Sequence, residues 1–142
     1  MSKSNAYETA LLQLIFNATA FADLAENDTT SPATSLYVSL HTSDPGEAGT
    51  QATNEATYSG YARVAVVRTS GGWTVTGNSV SPVADITFGA WVSGSETITH
   101  VGIGVASSGA GVLLYSGALD TSIVMGAGVV PKVLSGSTIT ED

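Results

Sequence analysis

The chain has 142 residues and no cysteine, and only 11% of its residues are charged. The chain has twelve acidic residues and four lysines and arginines, which gives a net charge of −8. This length suits one domain with a core of its own, and the lack of cysteine excludes disulfides and cysteine-bound zinc. Nucleic acids and anionic membranes require a basic face, so we expect neither as a partner.

The shortage of charge is itself informative. A globular domain typically carries charges at about a quarter of its positions, so Ser, Thr, Ala and Gly must cover much of this surface. Because charge keeps crowded monomers apart, the composition favours a subunit that neighbours cover in an assembly.

The N-terminal segment predicts a helical arm over residues 1–30. Asn5 and Glu8 have the spacing of a capping box, with Asn in place of the usual Ser or Thr, and Asn17 is where we expect the helix to end. The apolar stripe that follows Glu8 is wider than one helix face requires. We therefore predict an assembly interface formed by Leu11, Leu12, Ile15 and Phe16. The alternative is that the helix only covers an open end of its own domain.

The same N-terminus does not resemble a secretory signal, and no apolar stretch is long enough to predict a membrane span. We expect synthesis in a cytoplasm.

From Leu36 onwards the apolar residues alternate with polar ones, which predicts β-strands. The predicted strands are 36–41, 61–68, 73–76, 83–88, 96–105 and 112–118, with weaker candidates at 123–125, 129–134 and 138–140. Short strands separated by Gly and Ser turns are typical of sandwiches and barrels, and no helical pattern between them suggests parallel topology. The predicted fold is mainly β, an antiparallel β-sandwich or jelly-roll-like domain over residues 31–142 with an N-terminal α-helix.

Two glycines lie inside a predicted strand, at Gly102 and Gly104. Glycine weakens a strand unless another group approaches its backbone closely. We expect a neighbouring strand, an aromatic ring or another subunit to approach here, or alternatively a β-bulge. Residues 47–57, which lack large apolar side chains, are expected to form a loop that a partner could order.

Candidate catalytic groups are few. His41 and His100 are the only imidazoles, and no Gly-x-Ser-x-Gly elbow accompanies them. Each histidine lies in a strand pattern, where partnership with a hydroxyl is the ordinary role. We therefore expect no enzymatic activity and no cofactor.

Two weaker binding hypotheses remain open. Asp44, Glu47 and Glu55 could bind calcium, although Asp44 before Pro45-Gly46 is better explained by a turn. Exposed aromatic side chains could stack on sugar rings, although core packing is their commoner role; the candidates are Tyr58, Tyr61, Trp73 and Trp91.

Several sequence blocks together are more specific than any single motif. The blocks are LYVSLHTSDPGEAG at 36–49, YSGYARVAV at 58–66, THVGIG at 99–104 and LLYSGAL at 113–119. In their order and spacing they resemble a family of small structural proteins of tailed bacteriophages, whose members are commonly labelled tail-fibre-like or virion proteins. The resemblance implies a non-enzymatic virion component that is made in the cytoplasm of the host bacterium.

Within a virion, two roles fit these observations. The first is a capsid decoration or cement subunit, a homotrimer that binds the major capsid protein and stabilises the head through many modest contacts. The alternative is a tail-fibre or tail-tip subunit that presents loops such as 47–57 or 106–111 to a receptor or to other tail proteins. An enzyme such as a glycan depolymerase would instead need a carboxylate pair in a groove.

Overall fold

A computed structural model describes residues 4–21 and 32–141. It contains one helix and nine strands in the described residues: α1 (Asn5–Asn17), β1 (Ser35–His41), β2 (Val64–Val67), β3 (Trp73–Thr76), β4 (Ser79–Pro82), β5 (Ile86–Thr87), β6 (Thr97–Gly104), β7 (Leu113–Val124), β8 (Lys132–Val133) and β9 (Ile139–Thr140). The predicted fold class is confirmed: the chain is mainly β with one N-terminal helix.

The strands form three sheets in the described part of the chain. Their orders are β2-β1-β6-β7, β3-β4-β9 and β5-β8. The pairs β1–β6, β6–β7, β3–β4 and β4–β9 are antiparallel, as the alternating pattern predicts. Layering of these sheets as a sandwich or jelly roll stays a prediction.

The chain divides into two compact units. One comprises residues 1–35, 66–86 and 133–142, and the other comprises residues 36–65 and 87–132. The predicted boundary near residue 30 falls outside the described residues, so the division into an arm and a β-domain stays a prediction.

In the first unit, α1 packs on β3 and β4. Its N-cap is Ser4, one residue before the predicted Asn5, because the Ser4 hydroxyl accepts the Tyr7 N–H at 3.3 Å. The helix ends at Asn17 as predicted. Arg68 donates to the carbonyls of Leu14 and Ile15, which have no partner within the last helical turn.

In the second unit, β1 lies between β2 and β6. Its apolar residues Leu36, Val38 and Leu40 are buried, and so are Ser39 and His41. The alternating pattern, which predicts that only one face of β1 is buried, is therefore wrong at the C-terminal end of the strand. Burial of these two polar side chains is possible because they bind each other.

Several strands differ from the prediction: β2, β5 and β8 are shorter than predicted, β4 is new and β7 is longer. The sequence pattern predicts no strand at 79–82, yet β4 forms there by pairing with β3 and β9, and its Val80 and Pro82 are buried. The predicted strands 112–118 and 123–125 are one strand, β7. Its Ala118 pairs with His100 of β6, and its Ile123 pairs with Ile98 of β6. This irregularity leaves residues 119–122 as a bulge in β7.

The two strand glycines confirm the expected close approach. A Cβ placed on Gly102 would lie 2.6 Å from Nε2 of His41, and one on Gly104 would lie 2.2 Å from Cδ of Gln51. The register also shifts between Ile103 and Gly104, so an irregularity of the bulge kind is present as well. Both glycines therefore make room for buried polar side chains.

Candidate functional site

The two loops nominated by the sequence, 47–57 and 106–111, lie together in the second unit. The Gln51 N–H donates to the Gly111 carbonyl at 3.0 Å, and the Gln51 Oε1 accepts the Ala106 N–H at 2.9 Å. Nε2 of the same side chain donates to the Tyr37 carbonyl at 3.3 Å. One fully buried glutamine thus joins both loops to β1.

The Glu55–Arg63 ion pair also holds the two loops together. Glu55 accepts two hydrogen bonds from Arg63, at 2.6 Å from Nε and 2.7 Å from Nη2. The guanidinium also donates to the carbonyls of Ala106 (2.9 Å) and Gly109 (2.7 Å). The Arg63 side chain is 2% exposed, and its hydrogen bonds to Glu55 raise the pKa of Arg63. A planar guanidinium with five donors is well suited to this role.

Tyr61 extends this cluster to β1. Its hydroxyl donates to Oε1 of Glu55 at 2.8 Å and accepts the Leu40 N–H at 3.2 Å. Burial raises the pKa of Tyr61, so the phenol keeps the proton that it donates.

His41 forms the third connection. Its Nδ1 lies 2.8 Å from the Thr53 carbonyl, and its Nε2 lies 2.9 Å from Oγ of Ser39. A carbonyl can only accept, so Nδ1 carries the proton and Nε2 accepts from Ser39. Burial lowers the pKa of His41 and favours this neutral form. Ser39 and His41 are both fully buried, so this hydroxyl and imidazole are closed to a substrate.

Glu96 holds the end of the first loop. Its carboxylate accepts the N–H groups of Thr57 and Tyr58, each at 2.9 Å, and the Thr57 hydroxyl at 3.1 Å. Loops 47–57 and 106–111, with these supports, form what we call the loop face. Its backbone is held by hydrogen bonds to buried side chains, which differs from the expected loop that a partner orders.

A shallow cavity lies beside the loop face. It has a volume of about 370 Å³ and is lined by Gly46, Glu47, Gly49 and residues 113–116. Asp44 comes shortly before these lining residues in the sequence. The Asp44 carboxylate accepts the Gly46 N–H at 2.9 Å, which confirms the predicted turn. Within residues 4–21 and 32–141, no cluster of three or more acidic or histidine side chains could bind a metal.

The aromatic side chains occupy interior or supporting positions. Tyr58 and Trp73 are buried in their respective units, which excludes both as a surface for sugar stacking in this conformation. Tyr61 belongs to the Glu55 cluster. Trp91 is half-buried and donates its indole N–H to the Gly94 carbonyl at 2.9 Å.

The predicted assembly residues on α1 separate into two pairs. Leu12 and Phe16 are 0% exposed, and the Phe16 ring meets Trp73 edge-on with ring centroids 4.9 Å apart. This pair fits the alternative in which the helix covers its own domain. Leu11 and Ile15 are half-buried, and an assembly role for the helix stays a prediction that they would carry.

Sequence reasoning missed the roles of Gln51, Arg63 and Glu96. A signal existed for Arg63. It is one of four lysines and arginines in the chain and lies inside the predicted strand 61–68, where a charge needs a partner. No local signal exists for Gln51 or Glu96, since their partners are distant in sequence.

In the described ranges, no helix is long and apolar enough to cross a bilayer. The observations so far define a class: an antiparallel β-protein with little charge and a loop face held by buried polar groups. Residues 2–141 match the family model described as podophage GP4 fiber I protein gp80, and the chain belongs to this family. It is therefore a bacteriophage virion structural protein. No curated protein matches the chain.

Proposed function

We propose that the chain is a non-enzymatic subunit of a virion tail fibre, and that it uses its loop face to contact other tail proteins or a host receptor. The observation that carries the proposal is the match over residues 2–141 to a family described as a fiber protein. This description favours the tail-fibre alternative over capsid decoration.

The loop face supports a binding role. Gln51 and Arg63 hold backbone from both loops, so little conformational entropy remains to be lost when a partner binds. Preorganisation of this kind improves affinity by reducing the cost of ordering.

The absence of catalysis is also part of the proposal. The hydroxyl–imidazole contact that a hydrolase would use, Ser39 with His41, is sealed inside the second unit. Its second imidazole nitrogen is occupied by the Thr53 carbonyl rather than by a carboxylate. Such a pair lacks both substrate access and the third member of a triad.

Association with itself as a homotrimer and with other virion proteins belongs to the same proposal. Closed symmetry is the rule for soluble homo-oligomers, and the low charge of the chain reduces repulsion between copies.

The test is the position and copy number of the protein in purified particles, by antibody-gold labelling in the electron microscope and quantitative gel densitometry. We expect few copies, confined to the tail. Many copies spread over the head would contradict the fibre assignment and support capsid decoration.

A further inference from the structure

We propose that the outer edge of β7, over Leu113–Ala118, pairs with an edge strand of a second copy of this chain. The inference deepens the proposed function, on which it rests for the expectation that several copies stand side by side.

The first argument is the place of β7 in its sheet. The strand order β2-β1-β6-β7 leaves β7 at an edge, and the described residues contribute no strand beyond it. An edge strand presents backbone donors and acceptors that readily pair with another chain.

Hydrogen bonds elsewhere in the sheet show which residues face outwards. Leu40 directs its N–H to Tyr61 and its C=O to Ala56, away from β6. Backbone N–H and C=O groups alternate in direction along antiparallel strands. The backbone groups of Val101, which pairs with Leu40, therefore point towards β7, where Val101 pairs with Gly117. The backbone N–H and C=O of Gly117 therefore point towards β6.

It follows that the two neighbours of Gly117, Ser116 and Ala118, direct their backbone N–H and C=O groups outwards. All three residues are exposed. Successive side chains of a strand point to opposite faces, so both faces of β7 are uncovered here as well as the edge. A strand that buries so little contributes little stability, which favours a structure in which a neighbour covers it.

Exposed valines lie at both ends of the strand. Val112 is 62% exposed and Val124 is 70% exposed. We call the outward side of Leu113–Ala118 the β7 edge. Exposed apolar side chains beside a free edge are typical of a contact site rather than of a protected edge.

Charge favours a second copy as the occupant. The chain carries −8, so two copies repel each other wherever their carboxylates meet. Residues 112–119 contain no charged side chain. The carboxylates beside them are Glu47, which lines the cavity next to Leu113–Ser116, and Asp120, which lies in the bulge where regular pairing with β6 is interrupted.

The test is self-association of the purified full chain, measured by analytical ultracentrifugation over a range of concentrations. Ser116→Pro removes an outward N–H while leaving the β6-facing groups of Gly117 in place, since proline is tolerated at an outward edge position. We expect association to weaken at least about tenfold. The matched control, Ser116→Ala, keeps the N–H and should associate like the unmodified chain.

Circular dichroism verifies that each variant is folded. If Ser116→Pro does not fold, Ser116→Glu with the control Ser116→Gln replaces it, because a carboxylate at the edge repels the negatively charged second copy and salt should restore association. Unchanged association of a folded Pro or Glu variant would overturn the proposal, as would an unmodified chain that stays monomeric at every concentration.

This outcome is independent of the fibre assignment. A protein found on the head that still associates through β7 would contradict the fibre proposal alone, whereas a monomeric protein on the tail would contradict the edge proposal alone.

Discussion

At the scale of single residues, the buried ion pair between Glu55 and Arg63 is the most informative feature of the chain. A buried ion pair adds little stability compared with apolar packing, but loss of one partner leaves the other charge buried and unpaired. Here the guanidinium also holds the carbonyls of Ala106 and Gly109. The pair therefore determines the geometry of the loop face more than the total stability.

We predict that Glu55→Gln lowers the free energy of unfolding by on the order of 3 kcal/mol, because the guanidinium loses its carboxylate in a buried position. Urea denaturation measures this loss. Glu47→Gln changes an exposed carboxylate on a neighbouring turn and should change stability by no more than about 0.5 kcal/mol. Equal losses in both variants would mean that the Glu55–Arg63 pair has no special role.

His41 predicts a dependence of stability on pH. Burial lowers its pKa in the folded protein below the value of about 6.5 in the unfolded chain. The unfolded chain therefore binds the proton first, and stability falls as the pH drops below about 7, by at most about 1.4 kcal/mol per pH unit for one proton.

The measurement is the midpoint of urea unfolding between pH 8 and pH 5. His41→Gln should be less stable at pH 8, because the Ser39 and Thr53 contacts change, and should lose this part of the slope. His100→Gln is the control and should retain it. A slope that survives in His41→Gln would assign the effect to other groups.

At the scale of elements, α1 is part of a core. Leu12 and Phe16 lie inside the first unit, and Arg68 satisfies carbonyls at the end of the helix. The broad apolar stripe that predicts a contact surface is partly explained by this internal packing. What the helix can offer a partner is limited to its half-buried side, with Leu11 and Ile15.

We predict that Phe16→Ala lowers the free energy of unfolding by about 3 to 5 kcal/mol, as is usual when a buried aromatic ring is truncated. The loss of its edge-on contact with Trp73 should also shift tryptophan fluorescence and the near-ultraviolet circular dichroism. Leu11→Ala, at a half-buried position of the same helix, should cost clearly less. Similar losses from both substitutions would contradict the burial described for α1.

At the scale of the whole molecule, two surfaces of the second unit have different characters. The loop face is polar and held from below by Gln51 and the Glu55–Arg63 pair. The β7 edge is uncharged and uncovered. In the proposed fibre subunit, the loop face would contact the target and the β7 edge would contact a second copy, and the low charge of the chain favours the second contact.

Much of this architecture follows from local pattern. Apolar alternation predicts β1, β3 and β6 closely, and helical spacing predicts α1, because periods of two and 3.6 residues reflect which side of an element is buried. The glycines at 102 and 104 likewise indicate a close approach without naming the group that approaches. The low number of lysines and arginines predicts that the chain does not bind nucleic acid, and this prediction does not depend on the fold.

Contacts between distant residues needed the tertiary structure. Glu96 and Thr57 are 39 positions apart, and Gln51 and Ala106 are 55 positions apart, so no local period links them. The burial of Leu12 and Phe16 depends on where β3 places Trp73, and the exposure of β7 depends on the order of strands in a sheet. These features arise because long-range pairing is chosen by the packing of the folded chain as a whole, whereas composition and period act on each segment alone.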